Sequence, residues 1–333
     1  MSIDEQIAHT VNLAKAINRL SNAPGFDLAF RRAVSAVLAD VEQVNTRKEL
    51  KALQDELLLA IAPVLDDFEV EYIDDLAKVA QLEVAFQSAQ LAIAPIAVDG
   101  VVTKALAREV PVGNNLSFVK VADMLAQQRG FIENNVTGTA AGIYFNNDPV
   151  SAIKTRINGT SALGYKDGIA SKAKRDLETI KRTSLNVVEN EAKTLVFKKA
   201  GADGYIYNSV VDVRTSSMCR SLHGQKYIYG QGRNPIPPMH YNCRSSMVPY
   251  FDGEPNELDG QNYYTWLKRQ PAALQDEVLG VERGKIFRNA DIPPAEFKKL
   301  VVNSFAEQLT IDELAQKDDR VKKYLNRGQG SQP

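Results

Sequence analysis

Apolar residues recur at steps of three and four through the first hundred positions of this chain. Ile7, Val11, Ala14 and Ile17 form one stripe, and Leu50, Leu53, Leu57, Ile61 and Leu65 form a later one. That spacing places each set on one face of a helix. Pro24-Gly25 breaks the first helix from the second, Asn45-Thr46 supplies a cap for the third, and Pro63 kinks the third or stands at its end. The pattern weakens from 95 to 168. Helices are predicted over 101–107 and 118–128, and a loop over 134–149, where Asn, Thr and Gly accumulate. Helical periodicity returns over 171–200 with Leu177, Ile180, Val187, Val188 and Leu195, and Gly201 closes it.

A different pattern follows. Residues 205–213 are rich in Tyr, Ile and Val and predict a strand, with 226–229 and 244–249 as antiparallel partners. Short helices are predicted over 261–269, 272–279 and 294–307, and Thr310 caps a last one. Trp266 and Tyr264 suit core anchors better than a ligand cage. The predicted fold is α+β and predominantly helical. An N-terminal helical bundle is followed by a C-terminal module with a small antiparallel sheet and short helices. The corresponding division is 1–110 for the helical region, 111–168 for a loop-rich junction, 169–325 for the module and 326–333 for a flexible tail.

At 333 residues, 44% hydrophobic and 24% charged, the chain is ordinary globular material, long enough for two or three packed units. No charged-then-apolar signal segment opens it. Its longest apolar runs, 57–65 and 91–98, fall short of the roughly 20 residues that span a bilayer, so no membrane partner is expected. The net charge of −1 hides an uneven distribution. Residues 51–100 carry ten acidic and two basic side chains, whereas 151–250 carry sixteen basic and seven acidic ones. A basic excess of that kind suits a solvated face, or non-specific contact with DNA. The acidic run from Asp66 to Asp75 sits at mixed helical offsets, so it is read as solvated and given no chemistry.

Both cysteines and two of the three histidines fall within 25 residues: Cys219, His223, His240 and Cys243. Three residues separate the first pair, two separate the second, and sixteen lie between the pairs. Each pair can bite one tetrahedral Zn²⁺. The alternatives are a disulfide between Cys219 and Cys243, or unrelated thiols and imidazoles. Four protein ligands would make a closed, structural zinc site, and a catalytic one needs a ligand to drop out. Asp212 and Arg214, two apart on the predicted strand, share a face and could pin the adjoining loop or contribute to an active site. Arg244 suits an exposed charge or a phosphate contact. The stretch Gly230 to Pro235 lacks the strand-to-helix context of a phosphate loop and is read as a turn.

These residues also carry a resemblance. Asp212, Arg214, Thr215, Ser216, Cys219, Leu222 and Gly224, then Pro238, His240, Cys243 and Arg244, follow in order the signature of the phage Mu F-like minor head proteins, the phage head morphogenesis family. Segments on either side, Arg182 to Asn186 and Tyr263 to Pro271, are similar as well, so the resemblance covers about 170–315. One departure is Ser245, where many relatives carry a further cysteine. The resemblance implies a minor component of a tailed-phage head, located in the virion and in the host cytoplasm during assembly. Its partners would be the portal protein and other capsid proteins. Its role would lie in head morphogenesis and in genome packaging or ejection, and it would not be an enzyme. Arg214 and Arg244 are then candidates for phosphate or DNA contact. The alternative from another class is a zinc-assisted nuclease or other hydrolase with Asp212 or His223 as base. Asp212 is the only carboxylate between Gly204 and Phe251.

Overall fold

A computed structural model of the chain describes residues 3–112, 117–210, 214–254, 263–300 and 309–329. The fold is predominantly helical α+β. Its first part comprises α1 (Ile3–Leu20), α2 (Phe26–Val37), α3 (Arg47–Gln90) and α4 (Val98–Ala107). A hairpin of β1 (Glu109–Val112) and β2 (Ser117–Lys120) leads to α5 (Val121–Ala140), α6 (Gly142–Phe145), α7 (Val150–Asn158) and α8 (Ile169–Lys199). The second part opens with β3 (Gly204–Asn208), α9 (Ser217–Leu222), β4 (Lys226–Ile228) and β5 (Ser246–Tyr250). It closes with α10 (Tyr263–Lys268), α11 (Ala272–Leu279), α12 (Val281–Asn289), α13 (Pro294–Leu300), α14 (Ile311–Lys317) and α15 (Asp319–Gln329).

The axis of the helical part is α3, 44 residues and so about 66 Å long. It begins at the expected cap, where Thr46 Oγ1 accepts from the Glu49 amide and the Glu49 carboxylate accepts from the Thr46 amide. Pro63 neither ends it nor starts a new helix. Its ring lies on the exposed face while Ile61 and Leu65 stay buried. One continuous apolar core runs from Leu13 on α1 through α2, α3, α4 and α5 to Val196 on α8. Each fully buried Leu, Ile or Val in it contributes roughly 1.5–3 kcal/mol.

The loop expected over 134–149 is in its first half the end of α5. Ile132, Val136 and Ala140 recur every fourth residue and are buried, and Gln54 of α3 donates to the Thr137 carbonyl. Packing overrides the weak helix propensity of Asn, Thr and Gly there. A second departure concerns the acidic run. Asp66 and Glu69 do face solvent and pair with Arg129, but Asp75 is buried and ion-paired to the fully buried Lys181 of α8 at 2.7 Å.

Helix α8 joins the two parts. The expected stripe is present, yet its second half is buried nearly all round, including Lys193, Glu189, Asn186 and Asn190. Helices α1, α3 and α4 and strand β5 all pack against α8. The sheet has the expected pairings, in the order β4-β3-β5 and all antiparallel, with Asn208 opposite Ser246 and Tyr205 opposite Tyr227 and Pro249. Proline is tolerated at Pro249 because β5 is an edge strand. Gly204 is required by close approach, since a Cβ there would lie 2.0 Å from the Tyr227 carbonyl oxygen. Strand β3 ends at Asn208, so Arg214 lies beyond it in a turn, and Asp212 falls outside the described residues. The last helices enclose a separate core around Tyr264, Phe287 and Phe297, against which Trp266 packs. Thr310 caps α14 with Glu313, as expected.

Candidate metal centre

The site is built where α9 meets the loop that enters β5. Ser216 caps α9, its Oγ accepting from the Cys219 amide, and so fixes the Cys219 side chain in the first helical turn. On the other side Asn242 adopts φ +59°, a left-handed conformation that Asn tolerates better than most residues. The chain thereby folds back, the Cys243 amide donates to the His240 carbonyl, and both side chains face Cys219. The Asn242 turn is anchored to α8, its amide donating to Thr183 Oγ1 and its side-chain oxygen accepting from Arg182.

Cys219 Sγ lies 3.6 Å from Cys243 Sγ and 3.2 Å from His240 Nε2. The donor atoms of Cys219, His240 and Cys243 all fall within 4.8 Å of one another. A tetrahedral zinc with Zn–S near 2.3 Å and Zn–N near 2.0 Å requires S···S about 3.8 Å and S···N about 3.5 Å. The two distances from Cys219 Sγ therefore stand within a few tenths of an ångström of those in a ligand set, and the group can hold a metal ion. The sulfurs are unbonded thiols. His240 Nδ1 lies 2.8 Å from the Tyr241 carbonyl, which holds the imidazole proton there and leaves the Nε2 lone pair facing the sulfurs.

His223 does not join them. Its Nδ1 accepts from the Ser209 amide at 3.0 Å, so this buried ring closes the end of β3 instead of completing the ligand set. The spacing that places Cys219 and His223 one helical turn apart is real, but α9 ends at Leu222 and the chain turns away at His223. The expectation of four protein ligands is corrected to three. Beside them is Ser216 Oγ, 2.8 Å from His240 Nε2, and a void of about 20 Å³ walled in part by Ser216, Cys219, His240, Arg214 and Arg244. That is room for one water-sized ligand.

The surroundings favour one thiolate. A hydrogen bond from the Cys243 thiol, opposed by burial and aided by Ser216, lowers the Cys219 pKa to about 6. Burial and the neighbouring Cys219 raise that of Cys243. Burial opposes the charge on His240, yet Cys243 outweighs it and the imidazole pKa rises. Tyr207, its hydroxyl 3.4 Å from Cys219 Sγ, is held protonated by burial. Ser245 is buried in the same wall, bonded to Ser209 Oγ and close enough to hydrogen-bond Cys219. The departure noted in the sequence, Ser245, thus places a hydroxyl beside the donor group.

Of the remaining motif residues, Thr215 ties the entering loop to the Val210 carbonyl, and Gly224, at φ +74°, turns the chain from α9 into β4. Pro238 is buried in the loop that carries His240. Arg214 and Arg244 border the void from two sides. The residues missed from sequence are Tyr207, which reads as an ordinary strand residue, and Arg182 and Asn186, which bind this loop from the middle of α8. Only their place beside Thr183 in the upstream segment of the resemblance could have pointed to them. What the geometry defines is a Cys₂His group of three donors, drawn from two loops, that can hold a metal ion. No family model, curated protein or solved structure matches the chain. No helix among the described residues is long and apolar enough to cross a membrane.

Proposed function

We propose that this chain is a minor head protein of a tailed phage, acting in head morphogenesis and in genome packaging or ejection, with a zinc ion stapling its C-terminal module. In this reading the helical N-terminal part docks on the portal protein and neighbouring capsid proteins. Arg214 and Arg244 make the non-specific phosphate contacts with DNA.

The observation that carries the reading is the meeting of Cys219, His240 and Cys243 at one point, from stretches twenty residues apart. Around them the other described signature residues take structural parts: Ser216 caps, Thr215 ties the loop, Gly224 turns. Each of these three holds a loop in place, which suits a docking part. When bound, zinc would supply a cross-link between α9 and the β5 loop, its charge balanced by two thiolates. The test is co-expression with the portal protein of the same genome, followed by particle purification. Co-migration with the portal ring, and presence in assembled heads, is expected. A chain absent from both refutes the assignment.

A second reading, a zinc-assisted nuclease or other hydrolase, is favoured by one observation: with His223 turned away, a water-sized void bordered by two arginines adjoins Cys219 and His240 and would admit a water to a bound zinc. Among the described residues no carboxylate borders that void. A plasmid-degradation assay with and without added zinc separates the readings, because a docking protein leaves the plasmid intact in both arms.

A further inference from the structure

A cavity of about 600 Å³ opens between α1, the middle of α8 and the loops of the metal centre, and Cys243 forms part of its wall. Five cations border it, from four separate places in the chain: Lys15 and Arg19 on α1, Arg182 on α8, Arg214 before α9 and Arg244 before β5. No carboxylate lines it among the described residues. Lys15, Arg19 and Arg182 form no salt bridge among the described residues. Arg182 instead binds two neutral oxygens, Ser21 Oγ and Asn242 Oδ1. Burial, only partly offset by Glu178, lowers the Arg182 pKa, the sign of a guanidinium short of negative charge. The floor is different: Val11, Ala14 and Val210 give it an apolar surface.

We propose that this cavity binds a phosphate-bearing small molecule of mononucleotide size, with the phosphate among the arginines and the organic body on the apolar floor. Size and shape select that class. A cavity of this volume suits an organic ligand and would be left largely empty by a bare phosphate. Four arginines line the cavity from four places in the chain, and a planar guanidinium can bind two oxygens of one phosphate. A duplex presents its phosphates along an extended backbone, whereas these cations border a single cavity. The proposal does not rest on the head-protein assignment, and it gives Arg214 and Arg244 a small-molecule phosphate in place of the DNA contact.

The test is calorimetric titration of the full chain with each of the four ribonucleoside monophosphates, with inorganic phosphate, and with a single-stranded oligonucleotide lacking terminal phosphates. At least one nucleotide should bind one per chain, at least about tenfold tighter than inorganic phosphate. The exposed Lys15→Ala and Arg19→Ala, combined, should weaken it by about tenfold or more. Lys48→Ala, equally exposed but on α3 outside the cavity, should leave it unchanged. The proposal is overturned if no nucleotide binds, if phosphate binds as tightly, if only the oligonucleotide binds, or if the double variant binds like the wild type.

Discussion

Two buried polar clusters lie in or beside the C-terminal module, and they are built in opposite ways. At the candidate metal centre, three donor atoms converge on one point and leave space beside them. The other cluster lies at the junction of α1, α3, α8 and β5 and is filled by its own charges. There Lys193 is fully buried, 3.1 Å from Glu189 and 3.6 Å from Glu83. His9 reaches Glu83 at 2.7 Å while stacking on Phe86, Gln87 donates to Glu83, and Ser246 of β5 bridges Lys193 and Glu189. The first cluster invites an ion. The second is packed with its own partners, Lys193 lying between the Glu83 and Glu189 carboxylates.

The difference teaches how buried charge specifies position. Burial alone would strip the charge from Lys193, but Glu83 and Glu189 outweigh it and its pKa rises. Glu83 is likewise penalised by burial, yet Lys193 and His9 bring its pKa below the ordinary value. Glu189, penalised by burial and facing Glu83, is raised. Removing one member leaves the others unpaired in a dry site. Lys193→Ala should therefore be the most damaging change, costing about 3–5 kcal/mol in denaturant-unfolding measurements. A loss under 1 kcal/mol would mean the cluster is hydrated.

Loss of metal should cost less. At zinc a hundred to a thousand times its dissociation constant, binding adds about 3–4 kcal/mol. A chelator should remove that amount from the wild type and nothing from Cys243→Ala. Equal melting shifts in both would show that zinc acts elsewhere. Next in size is His223→Ala, which orphans the Ser209 amide and should cost about 1–3 kcal/mol while leaving zinc stoichiometry unchanged. A variant that loses zinc would restore His223 to the ligand set.

The smallest effect is a pH slope. Above its ordinary value of 4.5 and up to its raised folded value, Glu189 binds a proton in the folded chain but not in the unfolded one. Its share of stability is present below that window and falls as pH rises through it. The Glu83 share has the opposite sign, present above 4.5 and lost as pH falls through its lowered value. Glu189→Gln should flatten the decline in melting temperature above pH 4.5. An unchanged slope would show that Glu189 does not titrate there.

The two clusters also differ in how much of them could be read from sequence. Cys and His are rare in this chain, so four of them in 25 residues stood out, and three do meet. His223 could not be separated from the rest, because spacing fixes which helical turn a residue occupies but not where the helix stops. The charged cluster was invisible. Lys193, Glu189 and Glu83 read as ordinary solvent-facing helix residues, and only the packing of α8 against both a helix layer and a strand buries them. Asp75 hid in the acidic run for the same reason. Elements with local causes were legible: the Thr46 and Thr310 caps, the pairing of 226–229 and 244–249 with the first strand, and the apolar stripes of α3 and α8. The C-terminal half of α5 was not, since its stability comes from contact with α3.

The most direct test of a shared metal centre is X-ray absorption at the zinc edge of the zinc-loaded full chain, paired with zinc stoichiometry of the wild type and of Cys243→Ala. One equivalent is expected in the wild type, with two sulfur scatterers near 2.3 Å and nitrogen or oxygen near 2.0 Å, and loss of the sulfur shell or of the ion in the variant. Zinc bound without sulfur, or at equal stoichiometry and with an unchanged spectrum in Cys243→Ala, would contradict it.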